Sequence, residues 1–249
     1  MLLSLRYNFL FVHIAKTGGT SIRATLGRYR RLDPYYLPQF ICSRISHLTG
    51  HRLGCKFPRH AKIVAAKELL PEEFFRQLFK FAFVRNPWDL QVSPYHHIRR
   101  ERPHLLAQIR DFDHFMRWKL DPERPYQYHI DTSIQAQLDY LIDLHGNLQM
   151  DFIGHYETLA DDFQQICQTI GIAPRKLPHK RQAKDREQDY RSYYSDALAR
   201  LVGDYFKREL QRMPPMDIAD IAYDFFLSNG LPEIKLDVNT NDLNKFSAV

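Results

Sequence analysis

The chain has 249 residues, 44% of them hydrophobic and 26% charged, the make-up of a globular protein large enough for one sizeable core. Its formal net charge is +6 and its pI about 9.2, which admits a nucleic acid, a membrane surface or a small polyanion as partner. Three cysteines, Cys42, Cys55 and Cys167, are too few for a disulfide scaffold and fit a reducing compartment. No apolar run approaches the ~20 residues of a membrane span, and the start lacks a signal-peptide layout, so a cytoplasmic location is expected.

Residues 7–14 read as a buried strand and residues 18–29 as the helix it feeds. Residues 30–60 read as irregular. Ile63-Val64-Ala65-Ala66 reads as a short strand, Pro71 to Leu78 as a helix with Glu72 and Glu73 in its first turn, Lys80–Val84 as a second strand and Asp89 to Arg100 as the following helix. Phe112 to Leu120 is amphipathic and helical, and Gln135 to Leu144 is expected to form another helix. Asp151 to Tyr156 reads as a strand, Glu157 to Ile170 as a helix stopped by Gly171, and Ser195 to Arg212 as a long helix. Strands alternating with helices imply a mostly parallel α/β sheet in a single domain over 1–249, with a flexible tail from about 229.

The stretch Phe9 to Ile22 carries the strongest chemical signal. An apolar run ends at Lys16, and Thr17, Gly18, Gly19, Thr20 and Ser21 follow before helical spacing begins. A strand, a Gly-rich turn and a helix N-terminus build a phosphate cradle, because backbone N–H groups converge on the anion and the helix dipole favours negative charge. A Walker A loop places its lysine after the glycines, whereas Lys16 precedes them. A second segment, Phe81-Ala82-Phe83-Val84-Arg85-Asn86-Pro87-Trp88, ends a strand on an arginine and carries Ser93 on the next helix. Arg85 has the geometry for a paired anion contact, or for an ion pair with Asp89. Trp88 suits packing of that helix or stacking on a base.

His13-x-x-Lys16-Thr17-Gly18-Gly19-Thr20-Ser21 and Arg85 followed by Ser93 together resemble the sulfotransferases that use 3′-phosphoadenosine 5′-phosphosulfate (PAPS), in the branch that acts on carbohydrates and as a soluble bacterial-like member. The resemblance is clear over roughly 7–30 and 80–100 and weaker through Asp151–Asp162 and Leu177–Tyr194. It implies a P-loop-NTPase-like three-layer α/β fold with a central, mostly parallel sheet flanked by helices. It also implies PAPS as sulfuryl donor, no metal, and a hydroxyl-bearing acceptor such as a saccharide, with no nucleic acid and no transmembrane segment. Lys16 would then contact the 5′-phosphate and the leaving oxygen, Thr17 to Ser21 the 5′-phosphosulfate, and Arg85 with Ser93 the 3′-phosphate. Relatives close a loop over the nucleotide near Leu177–Tyr194, which makes Lys180 and Arg181 candidates for nucleotide or acidic-acceptor contact.

The resemblance also implies a histidine base upstream of the second motif. His60 is the leading candidate, since it precedes Ala61 to Glu68, a segment similar to the family's H-A-T-A-K-E. His51, His47 and Glu68 are the alternatives. Histidine is chemically apt because its ordinary pKa lies near working pH. Cys42, His47, His51 and Cys55 could instead hold Zn²⁺ tetrahedrally, although their spacing matches no standard finger. Two other functions compete. A kinase-like phosphotransferase is disfavoured by the misplaced lysine and by the lack of a clear Mg²⁺ carboxylate. A non-catalytic polyanion-binding module would keep only the fold.

Overall fold

Phe9–Val12 is apolar at every position, so a strand made from it has no side to offer water and must lie inside a sheet covered on both faces. The computed structural model, which describes residues 1–33, 36–49, 57–173, 175–178 and 189–207, places it there. Four described strands form one sheet in the order β1-β2-β3-β4: Leu2–Ser4, Phe9–Val12, Phe79–Val84 and Phe152–His155. The edge strand β1 runs antiparallel to β2, with Leu2 opposite Phe11 and Ser4 opposite Phe9. β2 and β3 are parallel, with Phe9 opposite Phe79 and Val12 opposite Ala82. β3 and β4 are also parallel, with Phe81 opposite Phe152 and Val84 opposite His155. The C-terminal ends of β2, β3 and β4 therefore stand side by side, the edge of a parallel sheet where ligands usually bind.

Helices flank the sheet: α1 (Gly19–Arg30), α2 (Tyr36–Thr49), α3 (Ile63–Leu69), α4 (Glu72–Gln77), α5 (Pro87–Glu101), α6 (Phe112–Leu120), α7 (Tyr128–Asp131), α8 (Leu159–Thr169) and α9 (Asp196–Tyr205). On one face, Phe9, Phe11, Phe81 and Phe83 pack with Ile22 and Leu26 of α1 and with Phe163, Ile166 and Cys167 of α8. The Phe11 and Phe81 rings stack with centroids 5.2 Å apart. Leu10, Val12, Ala82 and Val84 point to the other face and are equally buried. Met1–Phe206 forms one compact unit. Residues from 208 onward, including the expected tail, lie outside the described residues.

Three expectations need correction. Ile63–Leu69 is helical, because Ile63 and Ala66, the two buried positions, are a helical step apart and not a strand step. Within 30–60, Tyr36–Thr49 is a helix. The helix expected over Gln135 to Leu144 shrinks to a 3₁₀ turn at Gln137–Tyr140, followed by a tight turn bridging Ile142 and Leu148. Polar side chains capture the backbone there. Asp143 accepts from the backbone N–H groups of His145 and Asn147, both at 2.9 Å, and from Lys67 Nζ at 2.7 Å. These bonds, with Lys67 first among them, hold its carboxyl far below the usual range.

α8 is the core's outer wall, and Phe163 is completely buried in it. Phe163→Ala should lower the unfolding free energy by about 3–5 kcal/mol. Denaturant unfolding at constant m-value checks this, and a loss under about 1 kcal/mol would mean that α8 is not seated on this face.

Candidate active site

The loop after β2 is shaped by backbone conformations that side chains resist. Lys16 lies in the left-handed region at φ +68° and Gly18 at φ +77°. The Thr17 hydroxyl, fully buried, donates to the Ile14 carbonyl at 3.1 Å and closes the turn. A Cβ at Gly18 would stand 2.8 Å from Leu159 Cδ2, and one at Gly19 would drive into the His13 ring. α1 starts without any side chain capping its first N–H groups and without an acid in its first turn. An uncapped helix start behind a left-handed bend has the geometry that suits an anion. Lys16 and Thr20 are half-buried beside it, and Ser21 is buried in the first turn of α1.

Arg85, at the end of β3, binds that loop directly. Its Nη1 donates to the Lys16 carbonyl at 3.1 Å, and its Nε donates to Asp89 Oδ2 at 2.7 Å. Nη2 stands 2.5 Å from the same carboxylate oxygen, and the guanidinium lies over the Tyr156 ring, 3.9 Å from its centroid. Gln137 brackets the Arg85 backbone, donating to its carbonyl at 2.8 Å and accepting its N–H at 2.9 Å. Asn86 caps α5 by accepting from Trp88 N and Asp89 N, and its own N–H donates to Glu157 Oε1 at 2.9 Å. The loops after β2, β3 and β4 are thus stitched together. Ser93, half-buried, lies one turn beyond Asp89 on the same side of α5. Trp88 takes its packing role, with Nε1 donating to the Ala199 carbonyl at 3.1 Å.

His60 stands against the other side of the loop. Its Nδ1 lies 2.8 Å from the His13 carbonyl, and the two rings are 4.6 Å apart. A carbonyl can only accept, so Nδ1 carries the hydrogen and Nε2 keeps its lone pair. Burial pushes the His60 pKa down, against the carbonyl bond, with Arg59 and Arg23 adding to the fall. The fall favours the neutral ring. His13 is almost fully buried, and its Nδ1 has no hydrogen-bond partner among the described residues. Burial first, then His60 and Arg23, push its pKa down to about 2.

Two further features escape motif reading. A cavity of about 430 Å³ lies along α1, lined by Ala24, Thr25, Arg28, Ala173, Arg175 and Lys176. Thr25 donates to the Ser21 carbonyl at 3.2 Å, so the cavity starts one turn beyond the phosphate loop. Lys119 of α6 is wholly buried, and its amine donates to Gln91 Oε1 at 2.6 Å and Ser133 Oγ at 2.9 Å. Burial holds its pKa well below the ordinary value, with Arg124 and Lys16 acting in the same sense and Asp131 against. A lysine buried near the end of an amphipathic helix has no sequence signal. His51, Cys55, Lys180 and Arg181 lie outside the described residues, as does the His47 side chain.

The sequence of this chain matches the model of the sulfotransferase family over residues 1–218, and the chain belongs to that family. It is thus of the class that transfers a sulfuryl group, on a mixed α/β fold with a helix-flanked four-stranded sheet. A search of curated proteins finds no match. Among the described residues no helix is long and apolar enough to cross a membrane.

The His13 burial makes the fold acid-sensitive. Its folded pKa is depressed, so below 6.5 the unfolded chain takes up a proton that the native chain refuses. Between pH 7 and pH 5 this should remove ~2 kcal/mol of stability, and His13→Asn should abolish that loss. Urea unfolding of both proteins at the two pH values measures it, and an identical pH dependence would contradict the buried neutral ring.

Proposed function

We propose that this chain transfers a sulfuryl group from PAPS to an acceptor hydroxyl, with Lys16 neutralising the leaving oxygen and His60 taking the hydroxyl proton. The observation that carries the reading is the 2.8 Å bond between His60 Nδ1 and the His13 carbonyl. It ties a base with a free Nε2 lone pair to the strand end three residues before Lys16, so base and phosphate loop move as one body. The nucleotide supplies the sulfuryl group; every other task falls to the chain.

Thr17 to Ser21 and the start of α1 would hold the 5′-phosphosulfate by backbone N–H groups. Lys16 would place its charge beside the bridging oxygen as the bond to sulfur breaks. His60 Nε2 would accept the acceptor's proton as the new oxygen–sulfur bond forms. Arg85 spends three N–H donors on Asp89 and Lys16, which leaves two for a 3′-phosphate, with the Ser93 hydroxyl one turn away. The cavity along α1, rimmed by Arg28, Arg175 and Lys176, would take the nucleoside end. Lys180 and Arg181 follow that rim in sequence and are our candidates for closing over it. All the charge needed is carried by side chains, so we propose no metal.

For the acceptor we propose a saccharide hydroxyl, on the likeness of the loop to the carbohydrate branch. Arg23 and Arg59 act on His60 electrostatically, which favours an acceptor with negative charge. A cytoplasmic setting agrees with the free, buried thiol of Cys167 and with a cysteine count too low for a disulfide scaffold.

Transfer of ³⁵S from labelled PAPS to saccharide acceptors tests the proposal. Lys16→Ala should lower kcat by about 10²–10³, since one preorganised donor to the developing charge is lost. His60→Ala should lower kcat strongly with nucleotide affinity nearly intact. In the wild-type enzyme the acid limb of kcat should fall below pH 6.5, because burial depresses the His60 pKa and only the neutral ring can accept a proton. A His60 variant with near-normal kcat would remove it from the mechanism. Activity that chelation abolishes and Mg²⁺ or Zn²⁺ restores would overturn the metal-free reading.

A further inference from the structure

We propose that α2 is an interfacial helix that seats the protein on an anionic lipid surface. Leu37, Ile41 and Leu48 fall within one narrow stripe of α2, with Phe40 at its margin. They are 63%, 47%, 86% and 45% exposed, four large apolar side chains on one side of a single helix. Arg44 emerges inside the stripe, and its guanidinium lies 5.3 Å from the Phe40 centroid. An apolar stem and ring with a charged head at the same level is the arrangement that a headgroup boundary accepts.

Charge selects the occupant. Residues 1–67 hold twelve Lys and Arg and a single acidic residue, Asp33, although the rest of the chain is net acidic. Asp33 is itself buried and taken by the Ser4 hydroxyl and the Arg6 N–H, both at 2.8 Å. Arg30 stands 5.7 Å from the ring of Tyr36, the first residue of α2, and Arg31 is exposed just past the end of α1. A second copy of the chain would bring the same positive field against this one and be repelled. A leaflet rich in anionic lipid attracts each arginine and takes up the stripe without needing a complementary groove. The surface is independent of the reaction proposed above, and none of its residues belongs to the phosphate loop.

The test is sedimentation of the full chain with vesicles of phosphatidylcholine, alone or mixed with phosphatidylglycerol. The wild-type protein should pellet with the mixed vesicles at low salt, release as salt rises, and ignore pure phosphatidylcholine. Replacing both apolar ends of the stripe, Leu37→Ser with Leu48→Ser, should weaken binding about tenfold or more. Arg44→Glu should do the same through charge, which keeps the test decisive if the serine variant folds poorly. Failure of the wild-type protein to bind mixed vesicles would overturn the proposal. So would binding that both variants retain, or a wild-type dimer that the serine variant converts to monomer.

Discussion

The bond from Arg85 to the Lys16 carbonyl is the constraint on which the rest of the site depends. Left-handed backbone costs a residue with a side chain of order 1–3 kcal/mol, and Lys16 stays there only because its surroundings over-determine it. Arg85 supplies that determination from the neighbouring strand. It is fixed in turn by Asp89 on α5, by the Tyr156 ring after β4, and by the two Gln137 bonds that hold its backbone. Without this strut, parallel strands would still present three loops at one edge, but the Lys16 backbone would lose its tie to the end of β3. In the proposed reaction Arg85 would act twice, on the loop that would hold one end of the nucleotide and toward its other end.

A second path reaches the same loop from the opposite side. His13 packs under Gly19 and lends its carbonyl to His60, so one residue both sets the loop's floor and selects the tautomer of the His60 ring. Its cost is a buried ring nitrogen without a partner among the described residues, of order 1–3 kcal/mol. That cost falls beside the candidate site, and functional sites are where local rules are most often broken. Lys119 is a comparable case, an amine sealed among Gln91, Ser133 and the Phe115 ring with Lys16 in its field. It braces α5, the helix that carries Asp89 and Ser93.

How much of this is legible in the sequence follows from what each signal depends on. The phosphate loop is readable because its order of strand, lysine, glycines and hydroxyls is local, and the strand and helix around it form as the pattern implies. Arg85 is readable at the end of β3, and its pairing with Asp89 follows from the i, i+4 spacing. Its bond to Lys16 is not, since it joins residues 69 apart. Ile63-Val64-Ala65-Ala66 misleads because a short β-branched run has no period of its own, and burial of Ile63 and Ala66 decides for helix. α2 hides because its apolar stripe turns outward, against the usual expectation that such a stripe marks a core face. Gln137 and Asp143 end a helix that composition favours, by spending their side chains on backbone groups far away or just ahead. The proposed base is half-legible: His60 stands out by its neighbours in sequence, but only the carbonyl of His13 shows which nitrogen keeps its lone pair.

The most direct measurement of the central claim, that Arg85 joins the phosphate loop to the far phosphate, is calorimetric binding of 3′,5′-bisphosphoadenosine and 5′-AMP to the wild-type protein and to Arg85→Lys. The lysine keeps the charge but loses the planar fork that reaches Asp89, the Lys16 carbonyl and a phosphate together. The account predicts that the wild-type protein prefers the bisphosphate by about tenfold or more, the worth of a charged hydrogen bond, and that the variant loses most of this preference while staying folded. A wild-type protein that binds both nucleotides equally, or a variant that keeps the full preference, would contradict it.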